Sequence, residues 1–523
     1  MSEVVGERAE RPGSVARNAA ILSAASIFSR VLGMVREIII PHYFGATGLV
    51  SAFRLSEFVV RTLYDLLVGG MLSAALVPVL SDYWRPERRA EFAHVASIIF
   101  TAISLIAAVV VLALELFAEP LIHLIGGDLS PEYLGVAVNL MRLTAPAVWV
   151  FASSGVLAAI LFARERFTMP ALGDAFYNLG VIVIVPLFYR QLGIYTLAVG
   201  IIVGSLVQFA FRLPELRGSG LRPNFNLRHP ALRRVWHLYL PIMVSILVGM
   251  VQGGIDRRLA SGTGDSSLAY MGTATTFYQF PHGLVAVAIS MAALPSLSRL
   301  AASKDWSGYR RTLGSSLRAV LVLVVPATVG LWILAEPAVR LLAEHGAFTA
   351  ADTTWTYLAL RYYLFGLIPA SIDWPLNFSF YARNDSKSPA IVGILSVFVY
   401  LAVALSLIGR LGFLALALGD AAKQAAHVSM MIFLLWRWGG RLEQDVFRTL
   451  LQTLLAAAIM GVFVYFSAQY LLAELGVAGL GPRLLVLLIP GVIGGVVYYL
   501  LLRLMKVPEI ELVDRLLRRV ARR

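Results

Sequence analysis

Apolar residues in this chain run in long unbroken stretches rather than alternating with polar ones. Fourteen such stretches fall at about 18–41, 52–81, 92–117, 133–162, 170–189, 194–212, 232–256, 268–298, 312–335, 354–381, 388–408, 412–436, 446–470 and 483–505. Their lengths match the roughly 20 residues that a helix needs to cross a bilayer core. Strands of a membrane barrel would alternate apolar and polar positions, so the continuity predicts helices. The expected fold class is an all-α polytopic membrane protein of about 14 transmembrane helices. Gly and Pro interrupt many of the stretches, as membrane helices allow where neighbours satisfy the freed backbone.

Composition agrees with this pattern. Of 523 residues, 59% are hydrophobic and 14% charged, and the mean hydropathy is +0.77. A soluble chain carries about 25% charged residues. The net charge of +13 would suggest a nucleic-acid partner in a soluble protein, but its distribution gives topology instead. With residues 1–17 inside, the cytoplasmic segments and adjoining span ends hold 30 of the 44 Lys and Arg, the external loops six and the span interiors eight. The positive-inside rule then predicts both termini in the cytoplasm. Residues 1–17 lack the apolar core and cleavage site of a signal peptide, so the first span is expected to act as its own insertion signal. Cysteine is absent, which excludes disulfide and thiol chemistry.

The chain also repeats itself. Pro-x-Leu-Ser occurs at Pro78–Ser81 and Pro295–Ser298, and Ala-Glu-Pro at 118–120 and 335–337, both offset by 217. Ala163-Arg164…Pro170-Ala171 returns as Ala382-Arg383…Pro389-Ala390, offset by 219. Six spans separate each pair, so the halves share one orientation: two parallel six-helix lobes around a central cavity, with two extra C-terminal helices. The predicted organisation is an N-terminal tail (1–17), a first lobe (18–212), a basic cytoplasmic linker (213–231), a second lobe (232–436), spans 13 and 14 (446–505) and a basic tail helix (508–523). In the tail, Ile510, Val513, Leu517 and Val520 share one face among five arginines. It reads as a helix on the anionic membrane surface or as a solvated tail that helps set topology.

Polar positions inside the spans carry the candidate chemistry. In the first, Ser23, Ser26, Arg30, Gly33 and Glu37 recur at helical spacing, with Ser29 and Arg36 beside them. A charge in mid-membrane costs a few kcal/mol, so such residues face protein or a wet cavity. The second span adds Arg54, Glu57, Arg61 and Asp65, of alternating sign on one face. This is read as a substrate-binding wall whose arginines can grip phosphate with their planar forks. The competing reading is a set of salt bridges between the first two spans. In the twelfth span Asp420, Lys423, Gln424 and His427 share a face. Asp420, Lys423 and His427 are ion-coupling candidates, and a static pair that registers helices is the alternative. Asp256 near the end of the seventh span is a further candidate, although Arg257 and Arg258 beside it favour solvated pairing. Asp174 and Asn178, and Asp373 and Asn377, are one-turn pairs better suited to satisfying backbone than to holding substrate. No phosphate-binding glycine loop, metal-spaced cluster or nucleophile elbow occurs, so no catalytic residue, metal or cofactor is expected.

Several stretches resemble one family. Ser29-Arg30-Val31-Leu32-Gly33-Met34-Val35-Arg36-Glu37, Phe44-Gly45-Ala46 and Leu72-Ser73-Ala74-Ala75-Leu76-Val77-Pro78 resemble the opening of MurJ/MviN proteins. Pro170 through Asn178-Leu179-Gly180 is similar to their fifth span, and Phe280-Pro281-His282-Gly283 with Ala293-Leu294-Pro295-Ser296-Leu297-Ser298 to their eighth. The resemblance implies a lipid flippase of the MOP superfamily in the bacterial inner membrane. Such a protein moves undecaprenyl-pyrophosphate-linked lipid II between leaflets through a cationic cavity, with its last two helices holding the lipid tail. Carried over by position, Arg30 and Arg36 face that cavity and Glu37 replaces an aspartate. Ser51, Tyr64, Asp65, Gly69 and Thr276 stand where the family has charged residues, and the sodium-binding Asn and Asp of the eleventh span are missing.

The leading expectation is therefore a flippase that moves a polyprenyl-pyrophosphate-linked saccharide, lipid II first among them, by alternating access. A coupling Na+ or H+, or the membrane potential, would drive it, and membrane lipids and cell-wall synthesis enzymes are the expected neighbours. The alternatives are a cation-antiporting exporter of another lipid-linked oligosaccharide or amphiphile, and a non-transporting membrane scaffold.

Overall fold

The computed structural model describes residues 12–67, 70–166, 168–217, 219–440 and 445–510; most of the predicted N-terminal tail and residues 511–523 of the predicted tail helix lie outside them. Among the described residues there are helices, turns and loops but no strand. The chain forms two compact units, Met1–Asp265 and Ser266–Arg523. Eight helices, or parts of them, are long and apolar enough to cross a membrane among the described residues. All fourteen apolar stretches fall on a helix or a pair of helices.

The first unit holds α1 (Pro12–Phe44), α2 (Gly48–Leu67), α3 (Gly70–Trp84), α4 (Arg89–Gly126), α5 (Pro131–Ala163), α6 (Thr168–Leu192), α7 (Tyr195–Arg212) and α8 (Pro230–Ser261). The last of these comes from the stretch at 232–256 and packs on α2, α3 and α4, and the two units divide between Asp265 and Ser266. Packing decides this, because an apolar stretch does not say which neighbour covers it. The linker before α8 lies along α4, where Ser97 Oγ and Thr101 Oγ1 accept the backbone N–H groups of Arg222 (3.0 Å) and Asn224 (2.9 Å).

At the centre of this unit is α5, which packs on α2, α3, α4 and α7 and buries residues such as Leu140, Met141, Val148 and Ile160 completely. Small residues let α6 and α7 approach closely. A methyl group at Gly180 would sit 2.2 Å from the Gly200 carbonyl oxygen, so these helices need glycine at their crossing. Arg212, at the end of α7, is buried and donates to the backbone and hydroxyl oxygens of Ser154 (2.8 and 2.5 Å) and to the Pro170 carbonyl (3.2 Å), tying α5, α6 and α7 together.

The second unit holds α9 (Ser267–Pro281), α10 (Val287–Ala302), α11 (Trp306–Ile333), α12 (Ala335–Leu342), α13 (Ala350–Leu364), α14 (Leu367–Ala382), α15 (Lys387–Leu411), α16 (Leu414–Gly439), α17 (Val446–Leu475) and α18 (Leu480–Leu504). The predicted eighth span is broken: a π-helical turn at His282–Ala286 joins α9 to α10 just after Pro281. Such turns recur at functional sites. The predicted tenth span is α13 and α14, joined at Gly366, where a methyl would sit 2.8 Å from the Ala421 backbone. Helices α17 and α18 pack on each other and on α11. Val507 and Ile510 close this core, and Glu509 pairs with Arg318 at 2.5 Å, so the start of the tail is held in place.

Large apolar side chains stay exposed in rows, including Val109, Leu112 and Leu116 on α4, Ile391, Ile394 and Phe398 on α15, and Phe463, Phe466 and Tyr470 on α17. Contiguous apolar surface of this kind is unfavourable in water and suits contact with lipid.

Candidate functional site

The turn at Gly45 (φ 65°) reverses the chain between α1 and α2 and brings charges 17 residues apart together. Arg36 and Glu37 from α1 meet Arg54 and Glu57 from α2 in a closed ring. Arg36 Nη2 lies 2.5 Å from Glu37 Oε1, and Arg36 Nη1 3.2 Å from Glu57 Oε1. Arg54 Nη1 donates to Glu57 Oε2 at 3.0 Å, and its Nη2 donates to Glu37 Oε2. From α6, the Tyr177 hydroxyl donates to Glu57 Oε1 at 3.1 Å, and its ring lies 5.0 Å from the Arg36 guanidinium carbon.

All four side chains are only 8–12% exposed. Taking one charge out of water costs several kcal/mol, but two cations and two anions in one ring leave no net charge. Each carboxylate bridges both guanidiniums, while Nε of both arginines and Nη1 of Arg36 make no hydrogen bond among the described residues. Asn178 of α6 donates to the Ser29 carbonyl at 3.3 Å and lies against Gly33, fixing α1 on α6 beside the ring. On the other side of α2, the Arg257 guanidinium of α8 lies 3.7 Å from the centre of the Phe58 ring, and Gly253 leaves room for Phe58.

The sequence stripe therefore divides. Arg36, Glu37, Arg54 and Glu57 are brought together, whereas Arg30 and Arg61 are exposed and have no ion-pair partner within 4 Å among the described residues. Asp65 is also exposed, one turn beyond Arg61. Sequence reasoning paired Arg30 with Arg36 and gave Arg61 the supporting role; the structure pairs Arg36 with Arg54. Tyr177 was missed. Its position between Asp174 and Asn178 was the available signal, but nothing in the spacing aims it at Glu57.

With this geometry in view, comparison with known proteins is decisive. The family model for lipid II flippase MurJ matches residues 40–486. The chain belongs to this family. A probable lipid II flippase MurJ of Thermotoga maritima is 28% identical over 490 residues, covering 94% of this chain and 96% of that protein. One from Vibrio cholerae is 28% identical over 393 residues, 72% of this chain and 74% of that one. Among solved structures, a lipid II flippase MurJ in an inward closed conformation matches with a TM-score of 0.80 at 24% identity, over 94% of this chain and all of that one. An inward-facing multidrug resistance MATE transporter of the MOP superfamily matches at 0.69 and 14% identity, over 80% and 96%. The chain thus shares its fold with both solved structures.

The second unit gathers its own polar side chains. His427 Nδ1 of α16 lies 2.6 Å from Asp373 Oδ1 of α14, and Asn377 Nδ2 donates to Asp373 Oδ2 at 2.6 Å. Lys423 and Asp420 pair with each other at 2.7 Å on the same helix. The π-helical turn places His282 where its Nε2 accepts from Trp374 Nε1 at 3.0 Å and its ring stacks on Tyr278. Of the ion-coupling candidates, Asp420 and Lys423 pair with each other as the spacing suggested, and His427 is joined to Asp373, which the sequence reading favoured as a partner for backbone over substrate. Asp256 belongs to α8 of the first unit. Among the described residues no group of three His, Cys, Asp or Glu is arranged to hold a metal ion.

Proposed function

We propose that this chain is a lipid II flippase: it carries the polyprenyl-pyrophosphate-linked peptidoglycan precursor from the inner to the outer leaflet by alternating access and makes or breaks no covalent bond. The observation that carries the reading is the family match over residues 40–486. The ring in the first unit supports a mechanism. A pyrophosphate within the bilayer needs cationic partners, since unpaired charge in a low-dielectric medium costs many kcal/mol. Arg30 and Arg61 are the available cations, while Arg36 and Arg54 are held in reserve by Glu37 and Glu57. Phosphate oxygens can replace the carboxylates one at a time as acceptors for the same guanidinium forks. Appearance of precursor on the outer face of vesicles containing the purified chain tests the reading, and rescue of a flippase-depleted cell tests it in vivo. Failure in both rejects it.

The proposal includes fourteen spans with both termini in the cytoplasm of the inner membrane. Reporter fusions at Thr263 should report outside and at Ser219 inside. An external signal at Ser219 would overturn both the topology and the parallel repeat.

The polar cluster of the second unit is the proposed coupling site, with Asp373 and His427 at its centre and Asp420 and Lys423 beside them. Asp373→Asn removes the charge that His427 and Asn377 share. In vesicles with an imposed proton or sodium gradient, the variant should flip at a rate that no longer responds to the gradient. An unchanged gradient response in Asp373→Asn would remove these residues from the coupling step.

A further inference from the structure

The linker between α7 and α8 climbs α4. Gly220 packs beside Ala93, where a methyl group built on it would sit 3.3 Å from the Ala93 Cβ. Two residues on, the N–H of Arg222 donates to Ser97 Oγ, and two further that of Asn224 donates to Thr101 Oγ1. The chain then turns back. The Leu227 N–H returns to the Phe225 carbonyl at 2.8 Å, and the His229 ring comes to 6.0 Å from the His94 ring in the second turn of α4. From Ala93 to Thr101 the helix rises about 12 Å, so Asn224 and Phe225 form the apex of an excursion along an apolar helix.

We propose that this apex is a membrane anchor: Phe225 and Leu227 sit among the head groups of an anionic leaflet, with Arg222 and Arg228 at the lipid phosphates. The proposal rests on the chain spanning a membrane and not on what it carries, so it goes beyond the flippase reading.

Three observations carry it. The first is depth. Exposed apolar side chains of α4 run from Leu105 to Leu124, a rise of about 28 Å that matches the bilayer core. Thr101 lies one turn before the first of them, which puts the apex at the edge of the core, at the depth of head groups. The second is what the linker shows there. In the segment Arg222-Pro223-Asn224-Phe225-Asn226-Leu227-Arg228, Phe225 is 69% exposed and Leu227 52%. Water leaves such surface unburied, whereas an interface takes it up. The backbone bonds to Ser97 and Thr101, with Asn224 Nδ2 at 3.1 Å from His94 Nδ1, hold the segment in this position. The third is charge. Arg222 and Arg228 flank the apolar pair and are exposed, and Trp236, half exposed, follows within two turns of α8. Arginine and aromatic side chains at the end of a span mark the membrane–water interface, and basic residues there are drawn to anionic lipid. Depth selects lipid over a soluble partner.

The chain has no cysteine, so a single introduced cysteine carries a single spin label. Phe225→Cys, Leu227→Cys and, as a reference before the start of α4, Glu87→Cys are labelled in the full chain. Each is reconstituted in vesicles of dioleoylphosphatidylcholine and dioleoylphosphatidylglycerol. Electron paramagnetic resonance then compares collisions with oxygen, which concentrates in lipid, and with a water-soluble nickel chelate. The oxygen-to-nickel ratio should be at least about threefold higher at positions 225 and 227 than at 87. Leaving out the phosphatidylglycerol, or adding Arg222→Gln with Arg228→Gln to the Phe225→Cys chain, should lower the ratio at 225 by about half. Ratios at 225 and 227 equal to that at 87 overturn the anchor and leave the segment to water or to a protein partner. A high ratio that responds neither to lipid charge nor to loss of the two arginines overturns the anionic leaflet as its partner. Label depth is read without transport, so its failure and that of the flippase reading are separable.

Discussion

Glu57→Ala should destabilise the first unit by about 3–5 kcal/mol, the cost of leaving one uncompensated positive charge in the buried ring. Glu57 pairs with Arg36 and Arg54 and accepts from the Tyr177 hydroxyl, so its loss removes a partner from three groups at one point. At about 2–4 °C per kcal/mol, a purified Glu57→Ala protein in detergent should melt roughly 6 °C or more below the parent. The double variant Arg54→Leu with Glu57→Leu removes one charge of each sign and leaves Arg36 paired with Glu37. It should recover most of the loss, because buried ion pairs are often replaceable by well-packed apolar residues. A Glu57→Ala protein that melts within 2 °C of the parent would mean that water already screens the ring. The same logic governs Arg36: alanine there leaves Arg54 alone to balance Glu37 and Glu57, so any loss of transport must be compared with the loss of stability.

Arg30→Ala combined with Arg61→Ala should lower flipping at least tenfold with the melting temperature unchanged. Both guanidiniums are exposed, and among the described residues neither holds a carboxylate within 4 Å, so removing them breaks no ion pair there. What is lost is the first cationic contact offered to a pyrophosphate, and hydrogen bonds to charged groups are each worth about 1.5–3 kcal/mol. Arg30→Lys should keep part of the rate, since lysine supplies the charge without the fork. The measurement is precursor on the outer face of vesicles at matched protein content. Parent-level flipping by the double alanine variant would show that the cationic contact lies elsewhere.

The two predictions separate roles that one sequence stripe had joined. Arg30, Arg36, Arg54 and Arg61 all stand at helical spacing in apolar surroundings, and by that measure they are equals. Burial ranks them. Two are closed in a neutral ring, where a substitution acts first on stability, and two lie open, where it acts on what approaches. Ser51, one turn before Arg54 on α2, is buried as well.

The sequence by itself determined what depends on neighbours along the chain. Long apolar stretches made the protein helical and membrane-embedded, and the offsets of 217 and 219 are a regularity of the chain itself. The motif around Arg30–Glu37 pointed to the family that the match over residues 40–486 establishes. Tertiary structure alone decided which polar groups meet. Arg36 finds Glu57 because the Gly45 turn sets how α2 lies on α1, and Tyr177 joins them because α6 packs on α1. His427 finds Asp373 across two helices rather than Lys423 one turn away. Helix α8 joined the first unit for the same reason. Periodicity fixes the face on which a residue stands, but the partner on the facing helix depends on crossing angle and axial offset. Those are set by packing, at contacts such as Gly180 on Gly200, and the spacing along one helix carries no record of them.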